Sequence, residues 1–177
     1  MTDLGTLAYF LGLEFVTTSK GILLHQQKYA TDVLKRFHMA DCNPANTPAE
    51  VNTKLEIAEE EEAVDPTMFM NNPKKSHLTI AKRILRYVKG TLEYGILFPR
   101  KTDQRTVSLL GYSDSDWCED KIDRRSTTGY LFKFLGAPIS WCSKKQPVVA
   151  LSSCEAEYIA GSYAACQAIW LDLLLDN

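Results

Sequence analysis

Hydrophobic positions change period twice along this 177-residue chain. Leu7 to Val16 (LAYFLGLEFV) is apolar and aromatic, Lys20-Gly21 follows, and Ile22-Leu23-Leu24-His25 comes next, a pattern that predicts a hairpin with a glycine turn. Tyr9 and Phe10 are expected in the core of that hairpin. From Gln26 to Met39, Tyr29, Val33, Leu34 and Phe37 recur at helical spacing, with Lys28, Asp32, Lys35 and Arg36 outside the stripe. Asn43-Pro44 and Thr47-Pro48 end that helix. Residues 49–67 are acidic, poor in aromatics and bounded by prolines, the composition of a linker or disordered loop. Asn71-Asn72-Pro73 is a start signal for an amphipathic helix from Lys75 to Leu92. Its apolar stripe is Leu78, Ala81, Leu85, Val88 and Leu92, with Lys82, Arg86 and Lys89 on the other side. Tyr94 to Phe98 is expected as a short strand.

From Val107 the period becomes two. Val107 to Tyr112, Gly129 to Leu135 and Ile139 to Cys142 read as strands, with Gly136-Ala137-Pro138 as a turn. Three consecutive strands on short connections predict an antiparallel meander. Trp141 is expected in its core. Ser152 as N-cap with Glu155 three residues later forms a capping box. The helix it opens carries Ala156, Ala160, Ala164, Ala168 and Leu171 along one side and runs to Leu175. The predicted class is α+β.

Composition narrows the picture modestly. Apolar residues make up 45%, ordinary for a globular protein. The formal net charge is −2, so bulk charge does not single out a nucleic-acid partner. The distribution is uneven, with Glu56 and Glu59 to Glu62 as an acidic block and Lys74, Lys75, Lys82, Arg83, Arg86 and Lys89 as a basic one after it. Five cysteines, an odd number without CxxC spacing, argue against a disulfide framework or a zinc site and for free thiols in a reducing compartment. No segment is expected to span a bilayer, and Met1-Thr-Asp-Leu-Gly does not open a signal peptide. A cytoplasmic protein without a membrane partner is expected.

Two acidic signatures carry the candidate chemistry. Tyr112-Ser113-Asp114-Ser115-Asp116-Trp117 closes an apolar run, and Ser152-Ser153-Cys154-Glu155-Ala156-Glu157-Tyr158 opens the last helix. Asp114 and Asp116 are two apart and share a face if the strand continues through both. Glu157 lies about one turn into the helix. Carboxylates from two elements, with waters and phosphate oxygens, are what magnesium takes, and two such ions can activate a water and stabilise a leaving oxygen. Spacing alone is better met by solvated turn aspartates and a surface glutamate favouring a helix N-terminus. Lys82, Arg86, Lys89, Arg124 and Arg125 are candidate phosphate contacts, or solvated faces.

GYSDSDW, DRRSTTGYLF and ISWCSKKQPVVALSSCEAEY resemble the ribonuclease H segment of copia-type retrotransposon polyproteins. LGTLAYFLGLEF and GILLHQQKYATDVLKRFHM resemble the end of that family's reverse transcriptase, and NNPKKSHLTIAKRILRYVKGT its connecting helix. The resemblance covers nearly the whole chain. It implies a reverse-transcriptase remnant over 1–48, an acidic linker with a deletion over 49–72, a connecting basic helix over 73–101 and a truncated ribonuclease H-like half-domain over 102–177. It also implies an ancestral activity, hydrolysis of the RNA strand of RNA–DNA hybrids with two Mg2+ ions. Asp114 and Glu157 match the first two of four metal-holding carboxylates. The other two are expected beyond Asn177. Asp172 and Asp176 cannot replace them, since they lie roughly 23 and 28 Å further along the same helix as Glu157. Asp116 and Glu155 match recurrent family positions without being assigned to metal. The polymerase's Tyr-Val-Asp-Asp box is expected upstream of Leu4, and a gap is expected near Asp65 to Phe69. The expected outcome is an inactive remnant. The alternatives are a non-catalytic nucleic-acid-binding remnant or a non-functional pseudogene product, with self-association through an exposed sheet edge.

Overall fold

The computed structural model describes residues 8–50, 74–100, 109–118 and 122–175. The start signal at Asn71-Asn72-Pro73, the acidic block and the expected gap lie outside the described residues. Among the described residues the fold is mixed α/β, with two antiparallel sheets and three helices. Contacts divide the chain into two compact units, residues 1–17 with 23–95 and residues 18–22 with 96–177.

The first sheet has the strand order β1 (Tyr9–Phe10), β2 (Leu13–Thr18), β3 (Gly21–His25), β4 (Gly95–Pro99). The apolar run Leu7 to Val16 is therefore not one strand. Leu11 and Gly12, at φ 48° and 84°, make a two-residue turn that pairs Phe10 with Leu13 and Tyr9 with Glu14. Tyr9 and Phe10 are 53% and 52% exposed, which corrects their placement in a hairpin core. The Lys28 ammonium lies 5.7 Å from the centre of the Tyr9 ring. At the next turn the Thr18 hydroxyl accepts from Lys20 and Gly21 N–H at 3.2 and 3.1 Å. Gly21 sits at φ 149°, and a Cβ there would lie 2.1 Å from the Phe98 carbonyl oxygen, so only glycine fits.

Helix α1 (Gln27–Arg36) buries Leu34. It ends in a Schellman motif: His38 takes φ 55°, its N–H bonds to Lys35 O at 3.1 Å, and Met39 N–H bonds to Leu34 O at 2.8 Å. The chain then runs back along α2 (Lys75–Gly90), where Ala45 N–H bonds to Arg86 O at 3.1 Å and Arg86 Nε bonds to Asn43 O at 2.7 Å. Of the predicted stripe on α2, Leu85 is buried and Leu78, Ala81 and Val88 are half-buried.

The second sheet is the predicted meander, β5 (Leu109–Ser115), β6 (Thr127–Phe134) and β7 (Ala137–Lys145), with β6 central. The turn between β6 and β7 is Leu135-Gly136, at φ 50° and 83°, and Pro138 lies in β7 opposite Lys133, beside a register shift. A proline is tolerated there because β7 is an edge strand. Helix α3 (Ser153–Leu175) packs on β5 and β6. Phe132, Ala164 and Leu171 form the centre of the core, with Leu109, Tyr130, Ile139 and Ala168 against them. Ala156 and Ala160 are fully buried, so the alanine stripe brings the helix close to the sheet. By length and composition α3 could cross a membrane, contrary to the expectation that no segment could, and here its alanine stripe is packed on a sheet. Trp141, 66% exposed, corrects the core assignment: it pairs with Leu131, whose side chain points away from the Phe132 face that α3 covers.

Candidate metal-binding site

Strand β5 delivers Asp114 opposite Gly129 of β6, and α3 delivers Glu157 from its first turns. The helix start is fixed locally. The Ser152 hydroxyl accepts from Glu155 N–H at 3.1 Å, the N-cap half of the expected capping box. The Glu155 carboxylate reaches back to Leu151 N–H at 2.7 Å, one residue before the cap. This puts Glu157 beside β5, where its Oε1 accepts from Ser115 N–H at 3.3 Å.

The register of β5 on β6 runs unbroken from Leu109 to Ser115. Gly111 faces Phe132 and hence α3, so Ser113 and Ser115 share that side and Asp114 lies on the opposite one. The two carboxylates thus approach the end of β5 from its two faces. Asp114 and Glu157 are exposed, while Ser115 Oγ between them is buried without a hydrogen-bond partner among the described residues.

Asp116 does something different. It lies just past the strand, and its Oδ1 accepts from Thr127 N–H while its own N–H bonds to Thr127 O at 3.3 Å. It closes the open end of the β5–β6 ladder and does not share a ligand face with Asp114. Trp117 Nε1 donates to Ala150 O at 3.2 Å, tying the segment after β5 to the loop before α3.

The basic candidates are divided between the two units, Lys82, Arg86 and Lys89 in the first and Arg124 and Arg125 in the second. Arg86 is engaged with Asn43, whereas Lys82 is exposed on α2 and Lys89 is half-buried at its end. Arg83, on the same helix, pairs with Glu50 at 2.6 Å. Arg124 takes φ 58° and its carbonyl accepts from Cys118 Sγ at 3.1 Å. The Arg125 guanidinium stands 3.8 Å from Asp123, which Lys145 also engages at 2.9 Å.

Two exposed carboxylates that reach the end of β5 from opposite faces, with the buried Ser115 hydroxyl nearby, do not by themselves enclose an ion. They do not suit a two-ion site, and among the described residues no three His, Cys, Asp or Glu side chains come together to hold a metal.

No family model matches the chain, and no solved structure does. Among curated proteins, the retrovirus-related Pol polyprotein from transposon RE1 of Arabidopsis thaliana is 36% identical over 196 residues, covering 96% of this chain. The Pol polyprotein from transposon TNT 1-94 of Nicotiana tabacum is 36% identical over 213 residues, covering all of it. An uncharacterized mitochondrial protein of Arabidopsis thaliana is 34% identical over 96% of this chain and 80% of its own length. This chain belongs to the copia-type retrotransposon Pol family. It spans only 13% and 16% of the length of the two Pol polyproteins. The alignment of this Pol segment with the RE1 polyprotein is longer than its own 177 residues, so the relative carries residues within the matched span that the segment lacks.

Proposed function

We propose that this Pol-derived segment is a remnant of a reverse transcriptase/ribonuclease H, with Asp114 and Glu157 as the metal-facing carboxylates of its ribonuclease H-like part. The observation that carries this reading is the Glu157–Ser115 contact, which brings a helix carboxylate against the strand residue next to Asp114. On this reading Asp114 and Glu157 would hold magnesium in the whole polyprotein, where the ion would supply an activated water and a stabilised leaving oxygen for hydrolysis of the RNA strand of a hybrid. In this chain, Glu157 holds α3 to β5 and Asp114 offers carboxylate oxygens at the strand end. Among the described residues no third carboxylate joins these two, so no cleavage of RNA–DNA hybrid by this segment alone is expected. The relatives' extra residues within the matched span support a deleted stretch, in keeping with an element that has decayed.

The test is incubation of the full chain with a labelled RNA–DNA hybrid and magnesium. No cleavage above background is the expected result. Magnesium-dependent cleavage that disappears in Asp114→Asn would overturn the inactivity. A second reading, binding of nucleic acid without chemistry by a cytoplasmic remnant, is favoured by the exposure of Lys82 on α2. Such binding is sequence-independent and falls steeply with salt. A gel shift insensitive to salt, or none at all, argues for a product without function.

A further inference from the structure

Gln146 has no part in the chemistry assigned above, yet it is among the most deeply buried side chains described, at 1% exposure. It follows β7, and its backbone N–H bonds to Ser126 O at 2.8 Å. Its side-chain Nε2 donates twice, to Thr128 Oγ1 at 3.1 Å and to the Ala156 carbonyl at 3.0 Å. Each acceptor stands beside the candidate site. Thr128 is the register partner of Ser115, and Ala156 directly precedes Glu157. With the Glu157–Ser115 hydrogen bond, the contacts close a ring: Ser115, Thr128, Gln146, Ala156, Glu157 and back to Ser115.

We propose that Gln146 is a positioning residue for the Asp114/Glu157 pair, its amide NH2 fastening the first turns of α3 to β6 directly across from Ser115. The inference rests on the reading of those carboxylates as metal-facing. The side chain has to be a hydrogen-bond donor. The Ala156 carbonyl can only accept, so the group reaching it must donate, and a carboxylate cannot. A second hydrogen on the same nitrogen satisfies Thr128. The carboxamide orientation follows, since flipping it would set Oε1 against the Ala156 oxygen. An apolar side chain of similar size would fill the space and leave the helix start free to slide, carrying Glu157 with it. Partners that orient a ligand without touching the metal typically change metal affinity by about 10- to 100-fold.

Gln167 provides a matched control. It also ties α3 to the sheet, donating to Ser140 Oγ at 3.1 Å, but further along the helix from Glu157. Amide resonances of the full chain are compared in four variants. Glu157→Ala defines the shift of the Ser115 amide when its hydrogen bond is lost. Gln146→Met is expected to reproduce that shift while the Leu131 and Phe132 amides stay protected, and Gln167→Met is expected to leave Ser115 in place. If Gln146→Met loses the β6 protection, Thr128→Val carries the test, with the Ser115 amide expected part-way between wild type and Glu157→Ala. A Ser115 amide at its wild-type position in a folded Gln146→Met chain, or in Thr128→Val where Gln146→Met does not fold, overturns the proposal. So does an equal shift in Gln167→Met. Manganese broadening of resonances around Asp114 and Glu157 is the second readout, expected to need about tenfold more metal in Gln146→Met than in wild type. Absence of broadening in the wild type defeats the metal reading, and the Ser115 shift then still judges the positioning role.

Discussion

Replacing Gly111 by alanine should destabilise the second unit, although nothing in the local sequence asks for glycine there. Gly111 pairs across to Phe132, and a Cβ built on it would lie 2.5 Å from Phe132 Cε1, 3.0 Å from Cδ1 and 3.2 Å from Cζ. Carbon atoms prefer about 3.5–4.0 Å, so the overlap is roughly 1 Å. The ring cannot retreat easily, because Phe132 is 3% exposed and packed on Ala164 and Leu171 with Tyr130 and Ile139 beside it. Overpacking of this kind costs about 1–3 kcal/mol. Removing a strand glycine returns about 0.5–1 kcal/mol of chain entropy. The net expectation is a loss centred near about 1 kcal/mol, within a span of about 0–2.5 kcal/mol. With a urea m-value of about 2 kcal/mol/M, the middle of the usual range, the midpoint should fall by roughly 0.5 M at unchanged m. Urea unfolding of the full chain followed by circular dichroism reads this directly. Phe132→Leu removes the opposing ring edge and is destabilising by itself, yet in its background Gly111→Ala should cost at least about 1 kcal/mol less. Equal or greater stability of Gly111→Ala, or additivity of the two changes within about 0.5 kcal/mol, would refute the steric account.

Asp116→Ala should cost about 1–3 kcal/mol by leaving Thr127 N–H without its acceptor, whereas Asp114→Asn should stay within about 0.5 kcal/mol of wild type; thermal melts of both check this. Burial, with the Cys142 thiol beside it, holds the Tyr130 phenol above its ordinary value. The unfolded chain therefore loses that proton first, and stability should fall as pH rises from the ordinary tyrosine value through the raised folded one. Tyr130→Phe should flatten that alkaline slope in unfolding curves, and an unchanged slope would show that other groups produce it. In gel shifts at several salt concentrations, Lys82→Glu with Arg86→Glu should weaken any binding and reduce its salt slope. Lys82→Glu alone should give most of the effect, because Arg86 is already engaged with Asn43.

Element types and order were legible in the chain because periodicity is a local property. The helices around Leu34 and Leu85, the three-strand meander and the helix capped by Ser152 all appear where their patterns lie, with ends moved by a residue or a few. The motifs around Asp114 and Glu157 were legible too, and so was the family. What a period of two cannot tell is which face of a strand is covered. Trp141, Tyr9 and Phe10 were therefore expected inside and are found exposed, because α3 covers only the Phe132 side of its sheet and the first hairpin turns early at Leu11-Gly12. Nor could the sequence assign Asp116 to the strand ladder, Glu155 to Leu151, Gly111 to the Phe132 ring or Gln146 to the start of α3. Apart from the Glu155–Leu151 contact, each of these roles depends on a partner ten or more residues away, brought near only when β6 takes the centre of the sheet and α3 lies across it. Local pattern fixes what each segment becomes, and packing decides which polar atoms meet.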